Sequence, residues 1–276
     1  MDDVLAPLLG PLGYAFAAAW GAIWGSFFGL CVARIPEHES ILRPRSHCRS
    51  CAAAIPWFHN LPILSWLWLR GRCAACGAAV SARYLVVELL SVALSLLIYA
   101  WIMDGLSGPM WFRLLAYGVH FFFAGTLLVL SLIDLATFLL PNVITYPAIP
   151  LFAIAAVLLG RPWKDVAIGL AIGYVFIRLL ADGYYWITKR EGMGYGDAKL
   201  LALIGGFLGW QALVPTLFLA ALQGSVIGIA YGIAQKRAGK AESIRRVPIP
   251  FGPFLSLAAL QGMLFSGWVR LLFPLA

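Results

Sequence analysis

Eight apolar runs dominate the chain, near residues 12–33, 84–103, 112–133, 143–160, 164–187, 198–213, 214–234 and 250–272. A helix needs about 20 predominantly apolar residues to cross the hydrocarbon of a bilayer, where every backbone polar group must be satisfied internally. The expected fold class is therefore an all-α polytopic membrane protein with about eight transmembrane helices. The composition agrees, being 62% hydrophobic and 12% charged. Soluble domains carry about 25% charged residues, so an ordinary water-soluble globule is excluded. The 198–234 stretch reads either as one broken helix or as two short ones. Gly209-Trp210-Gln211 and Pro215 favour two, because Gly and Pro punctuate helices. No convincing internal repeat is visible.

The net charge of +8 raises the question of nucleic acid. No recognisable nucleic-acid module accompanies it, so no nucleic-acid partner is expected. The basic residues sort by loop instead. One set of connections holds Arg34, Arg43, Arg45, Arg49, Arg70, Arg72, Arg83, Lys189, Arg190, Lys236, Arg237, Lys240, Arg245 and Arg246. The opposite set holds Arg113, Arg161, Lys164 and Arg270. Lys and Arg accumulate on the cytoplasmic side, so the richer set is expected there, with both termini outside. The start, Met1-Asp2-Asp3, has no basic n-region, and no removable signal peptide is expected.

One connection is far longer than the rest. Residues 34–83 make a cytoplasmic segment of about fifty residues, a length at which loops usually carry function or fold as a small domain. Within it, Trp57 to Leu69 is apolar but too short to span, and its prolines and tryptophans suit the headgroup level. The same loop holds four of the five cysteines, as Cys48-x-x-Cys51 and Cys73-x-x-Cys76 with 21 residues between the pairs. A tetrahedral zinc site takes four thiolates, and each two-residue gap lets one tight turn supply two. A pair of disulfides is the bland alternative, disfavoured in a reducing cytoplasm. Four thiolates leave no open coordination position, so the ion would staple the loop and not react. His47 and His59 are then surplus, and Cys31 reads as a small buried apolar residue.

Ionisable residues at membrane depth are costly and functional by default. Asp134 ends the third apolar run, and Asp197 follows Gly192-Met193-Gly194-Tyr195-Gly196 at the start of the sixth. Two crossings separate them, which returns both to one face. A carboxylate pair can divide the labour of peptide hydrolysis, one member activating water and the other polarising the scissile carbonyl. Gly192, Gly194 and Gly196 would let the backbone take unusual torsions and approach an extended substrate closely. Taken singly, each aspartate could instead cap a helix. Arg178 and Asp182 read as a neutralising pair one turn apart, and Glu88 stays ambiguous.

These residues together resemble the bacterial type IV prepilin leader peptidase/N-methyltransferase family. Gly194-Tyr195-Gly196-Asp197 is similar to its Gly-x-Gly-Asp protease motif, and Asp134 with the later Pro141 to its first catalytic position. Gly25-Ser26-Phe27 with Arg34-Ile35-Pro36 is similar to its N-terminal signature. The Cys-x-x-Cys pairs bracket Ile55 to Asn60 and are followed by Ser81-Ala82-Arg83-Tyr84 and Glu88, as in the family. Pro248 to Phe254 also fits. Two positions depart. Gly29 stands where Asn is usual, and Asn142 follows Pro141 where Asp is common.

The resemblance implies a bifunctional enzyme with Asp134 and Asp197 catalytic, Gly194 and Gly196 positioning substrate or backbone, and Cys48, Cys51, Cys73 and Cys76 holding structural Zn2+. It would cut the basic leader from prepilins or pseudopilins whose hydrophobic helix lies in the inner membrane, at the cytoplasmic face. It would then methylate the new N-terminal amine from S-adenosylmethionine. Domains follow as 1–33, a first transmembrane helix; 34–83, a methyltransferase-associated zinc loop; and 84–276, the helical aspartic peptidase region. The basic loops would rest on membrane lipids. Two alternatives stay open: a peptidase-only Gly-x-Gly-Asp protease, and a non-enzymatic transporter or assembly scaffold with a zinc docking loop.

Overall fold

The computed structural model describes residues 10–43, 45–189, 194–238 and 248–265. Asp2, Asp3, Arg190, Gly192, Met193, Lys240, Arg245, Arg246 and Arg270 lie outside them. Among the described residues there are nine α-helices and no strand. They are α1 (Pro11–Arg34), a short α2 (Leu64–Trp68), α3 (Ala82–Gly105), α4 (Met110–Thr137), α5 (Asn142–Leu158), α6 (Trp163–Thr188), α7 (Tyr195–Leu208), α8 (Leu213–Arg237) and α9 (Gly252–Leu264). Each apolar run coincides with one of the eight longer helices. Their lengths divide them. α1, α3, α4, α6 and the Trp210–Arg237 stretch containing α8 are long and apolar enough to cross a membrane. α5, α7 and α9 have 17, 14 and 13 residues, short of the usual span. Among the described residues five stretches are thus candidate spans by length, and the expected eight crossings are not reached by length alone.

The chain forms two compact units, residues 1–125 and 126–276. In the first, α1 presents Gly13, Ala17, Gly21, Gly25 and Gly29, one small residue per turn, all buried. They let α3 come close. A methyl at Gly21 would sit 2.7 Å from Ser95 Cβ, and one at Gly25 would sit 2.8 Å from Ser91 Cβ. Small residues at four-residue spacing are how apolar helices pack in lipid, where no hydrophobic gain drives association. Hydrogen bonds add to the packing: Ser95 donates to the Ala17 carbonyl at 2.5 Å and lies 2.7 Å from the Tyr117 hydroxyl.

In the second unit, α7 is buried along nearly its whole length, from Asp197 to Phe207. Gly169 and Gly173 of α6 meet it, and any Cβ at Gly169 would collide with the Gly205 carbonyl. α7 stops at Gly209, whose φ of +90° favours glycine, and a 3-10 turn at Trp210–Ala212 leads into α8. The 198–234 stretch is thus two helices, as the glycine and proline suggest. Between α4 and α5, Phe138 takes φ +57° and Pro141 precedes the first residue of α5. That sharp turn leaves Asp134 in the last turn of one helix and Leu140 beside it.

Candidate functional site

Asp134 occupies the last turn of α4 and is buried. A carboxylate there opposes the helix macrodipole, so capping does not explain it. Its Oδ2 accepts the backbone N–H of Gly252 at 3.1 Å, from the first residue of α9. A Cβ at position 252 would stand 2.6 Å from that oxygen, so only glycine lets the amide come so near. Asp197 is also buried, at the third position of α7, with Gly194 as the N-cap. Its carboxylate accepts from the Gly194 backbone and lies within range of the Asp134 charge. The capping reading is therefore half right for Asp197, which closes back on the N-cap amide but does not occupy the cap. Among the described residues neither carboxylate has an ion-pair partner; the pairs found there are Arg49–Glu37 and Arg178–Asp182. Two buried acids near one another, each held by a backbone amide, are what a shared-proton pair requires.

The torsional part of the glycine expectation is not met at Gly194. Gly194 has φ −75° and ψ 143°, an ordinary extended conformation open to any residue. Gly196 is needed for closeness: its Cβ would come 3.0 Å from Leu140 Cβ. Leu140 Cδ2 would also lie 3.6 Å from a Cβ at Gly252, so this one side chain packs against the backbones flanking both acids. Lys199 adds a tie, donating to Asn142 Oδ1 at 2.5 Å and lying 4.7 Å above the Tyr146 ring. Asn142, where the resemblance has Asp, keeps the acceptor and drops the charge. Arg178 pairs with Asp182 at 3.1 Å as expected, and also covers the Tyr195 ring at 4.2 Å. The sequence reading assigned Gly252 and Leu140 no role. The signal for the first was present, a glycine between Phe251 and Pro253.

In the first unit, the four cysteine sulfurs all lie within 4.8 Å of one another. Tetrahedral zinc with Zn–S near 2.3 Å needs S···S edges of about 3.8 Å. Cys48 and Cys76 Sγ are 3.8 Å apart, so the set fits such an ion. Two turns of one design supply them. Cys48 N–H donates to the Ala53 carbonyl and Ala52 N–H to Cys48; Cys73 N–H donates to the Ala78 carbonyl and Gly77 N–H to Cys73. Single antiparallel bridges, His47 with Ala54 and Arg72 with Ala79, close each turn. A short repeat therefore exists that inspection of the sequence misses, since beyond the cysteines little but Ala-Ala is shared. Backbone amides of Cys51 and Ser50 draw the Cys48 thiol down to about 6. His47 and His59 stay outside the cluster, and Cys31 is buried in α1.

Comparison with known proteins gives the same reading over both units. Residues 19–102 match the bacterial peptidase A24 N-terminal domain, and residues 121–229 match the type IV leader peptidase family. The prepilin leader peptidase/N-methyltransferase of Aeromonas salmonicida (strain A449) is 38% identical over 237 residues, 86% of this chain and 74% of that protein. The chain belongs to the type IV leader peptidase family. Prepilin leader peptidase/N-methyltransferases of Myxococcus xanthus (strain DK1622) and Dichelobacter nodosus are 35% and 38% identical, over 90% and 85% of this chain and 72% and 76% of theirs. No solved structure matches the chain. In family terms, the first unit carries the N-terminal domain and its cysteine cluster, and the second carries both aspartates.

Proposed function

We propose that this chain is a bifunctional membrane enzyme, which cleaves the leader from type IV prepilins or pseudopilins and then N-methylates the new N-terminal residue. The observation that carries the peptidase half is the burial of Asp134 and Asp197 within range of each other's charge, with a glycine amide on each. Two like charges kept from water cannot both persist, so the pair holds one proton. The ionised member takes a proton from water, whose oxygen adds to the scissile carbonyl. The protonated member donates a hydrogen bond to that carbonyl oxygen as charge develops there. Collapse of the tetrahedral species breaks the C–N bond, and the leaving amine takes the proton the base acquired. Gly194 and Gly196 keep the backbone beside Asp197 free of side chains, which suits an extended substrate segment.

Cys48, Cys51, Cys73 and Cys76 would hold zinc, whose contribution is to fix the 34–83 loop and not to react. S-adenosylmethionine enters as a substrate, the methyl donor. In this reading residues 1–33 are the first span, 34–83 the methyltransferase-associated cytoplasmic module, and 84–276 the peptidase region. The three short helices α5, α7 and α9 complete eight crossings, and the basic loops put the site at the cytoplasmic face of the inner membrane. Substrates with a basic leader and an apolar N-terminal helix would lie in the same bilayer.

Gly29, where the family usually has Asn, favours a peptidase-only enzyme as the second reading. One experiment tests both. The purified chain is incubated with a candidate prepilin and isotope-labelled S-adenosylmethionine, and the mature N-terminus is read by mass spectrometry. A shortened, labelled product is the expected result. A shortened, unlabelled product leaves the peptidase alone, and intact prepilin overturns the proposal.

A further inference from the structure

Residues 57–68 carry six large apolar side chains that the first unit leaves uncovered: Trp57, Phe58, Leu61, Leu64, Leu67 and Trp68. Trp57 is 78% exposed and Trp68 87%. These residues belong to no helix long enough to span, so exposure to lipid in a crossing does not account for them. The opposite side of the segment is fully engaged. Ser65 donates to the Phe58 carbonyl and accepts the Leu61 amide, and Trp66 packs on Gly71 and donates to the Val80 carbonyl.

A single clasp sets its depth. The Ile63 amide donates to Glu88 Oε2 at 2.7 Å, and Ser26 of α1 bonds the same carboxylate. Glu88 is six residues inside α3, about 9 Å along the axis from its first residue at 1.5 Å per residue. Ser26 is eight residues before the end of α1, about 12 Å by the same rise. Arg83 and Tyr84, types that mark the headgroup level, open α3. The segment is therefore tied beside the ends of α1 and α3, two helices long and apolar enough to cross a membrane. Ile63, the residue whose amide makes the bond to Glu88, takes φ +62°, rare for a β-branched residue. Interfacial helices sink their apolar face about 5–10 Å into the headgroup and acyl boundary, comparable with the axial offset of Glu88 from the start of α3. Exposed Arg70, Arg72 and Arg83 flank the face with charge suited to anionic headgroups.

We infer that residues 57–68 form an interfacial anchor, inserted into the boundary of the anionic leaflet on its own side of the membrane. Through Trp66, Gly71 and Val80 the anchor holds the second cysteine turn against the bilayer surface. The cysteine module thereby meets a polypeptide at the level where it leaves the membrane. The inference rests on α1 and α3 crossing the bilayer, and it holds or fails independently of either enzymatic activity.

The test uses the full chain in vesicles of phosphatidylethanolamine and phosphatidylglycerol, with the photocrosslinker p-benzoylphenylalanine at 57, 64 or 68. Ile23, exposed in α1, is the lipid-facing control, and Ala75, between Cys73 and Cys76, the water-facing one. Lipid adducts at all three positions should come within about two-fold of Ile23 and exceed Ala75 at least roughly five-fold. Adducts confined to a second copy of the chain, yields no higher than Ala75, or lipid adducts displaced by added prepilin would overturn the anchor. A second measurement avoids the bulky label. Quenching of tryptophan fluorescence by lipids brominated high on the acyl chain should fall in the Trp57→Phe, Trp68→Phe double variant. An unchanged quenched fraction would count against insertion.

Discussion

The cysteine cluster and the aspartate pair are assembled in contrasting ways. Each pair of cysteines arises inside one short turn, Ser46–Ile55 or Gly71–Val80, with its own backbone hydrogen bonds. The acids come from the end of α4 and the start of α7, and the amide on Asp134 arrives from a glycine 118 residues away. The first centre is local and partly exposed, with four thiolates placed where a metal ion could join its two turns. The second is buried in apolar helix packing and depends on close approach at Gly196 and Gly252. A local centre should fail piecemeal when altered, whereas an assembled one should lose its chemistry at the first misplaced atom.

The largest expected effect separates the two centres cleanly. Asp134→Asn and Asp197→Asn should each lower leader cleavage by at least about 10³-fold, the scale of losing a positioned acid or base. Bound zinc, measured by elemental analysis of protein purified without chelator, should stay as in the natural chain. Full cleavage by either purified variant would remove the pair from the mechanism. Loss of zinc together with cleavage would show that the two centres are not independent.

Gly252→Ala comes next. The added methyl would stand 2.6 Å from Asp134 Oδ2, so the carboxylate or the α9 amide must move. Misplacing a reacting group by about 1 Å can cost on the order of 10²-fold in rate, and the loss should appear in kcat with KM little changed. A variant with natural kcat would show that Asp134 does not need the amide. Gly194→Ala, where the nearest atom to the new methyl is 3.8 Å away and φ is ordinary, should be far milder.

Cys48→Ser tests the local centre. Removing one of four thiolates should lower bound zinc well below the natural stoichiometry, and proteolysis of the 34–83 loop should speed up. Binding free energy at such sites is folding free energy. Leader cleavage should fall less than in the aspartate variants. A Cys48→Ser protein with undiminished zinc would refute the ligand set.

This contrast also explains which features are legible in the sequence. Eight helices follow from apolar runs because in lipid the backbone has little alternative, and the cysteine ligands follow because their spacing is local. Asp134 and Asp197 stand out as carboxylates among apolar neighbours. Span number is harder, since α5, α7 and α9 are apolar yet short. Gly252 and Leu140 are invisible as partners of the acids, because only packing brings their segments together. The one-per-turn series Gly13, Ala17, Gly21, Gly25 and Gly29 was readable by its spacing but hidden in a chain rich in glycine and alanine. The torsional role expected of Gly194 fails because its φ is ordinary, and of the glycines beside Asp197 it is Gly196 that supplies closeness.

The smallest effect compares the two cysteine turns with each other. Both place the residue after the second cysteine at positive φ, Ala52 at +56° and Gly77 at +70°. Left-handed backbone costs an L-residue roughly 1–2 kcal/mol, so the first turn carries strain that the second avoids. Nothing lies within 4 Å of a Cβ at Gly77, so Gly77→Ala sets the torsional cost against the smaller disorder of the unfolded loop and should speed zinc loss to a competing chelator by no more than about five-fold. Ala52→Gly relieves the same strain while adding disorder to the unfolded loop, worth about 0.5–1 kcal/mol against it. Its net gain should be small, a slowing of zinc loss of no more than about five-fold. Equal effects of opposite sign at the two positions would mean that the two turns share one balance of strain and chain entropy. No effect at Gly77 would mean that metal and not backbone geometry sets their conformation.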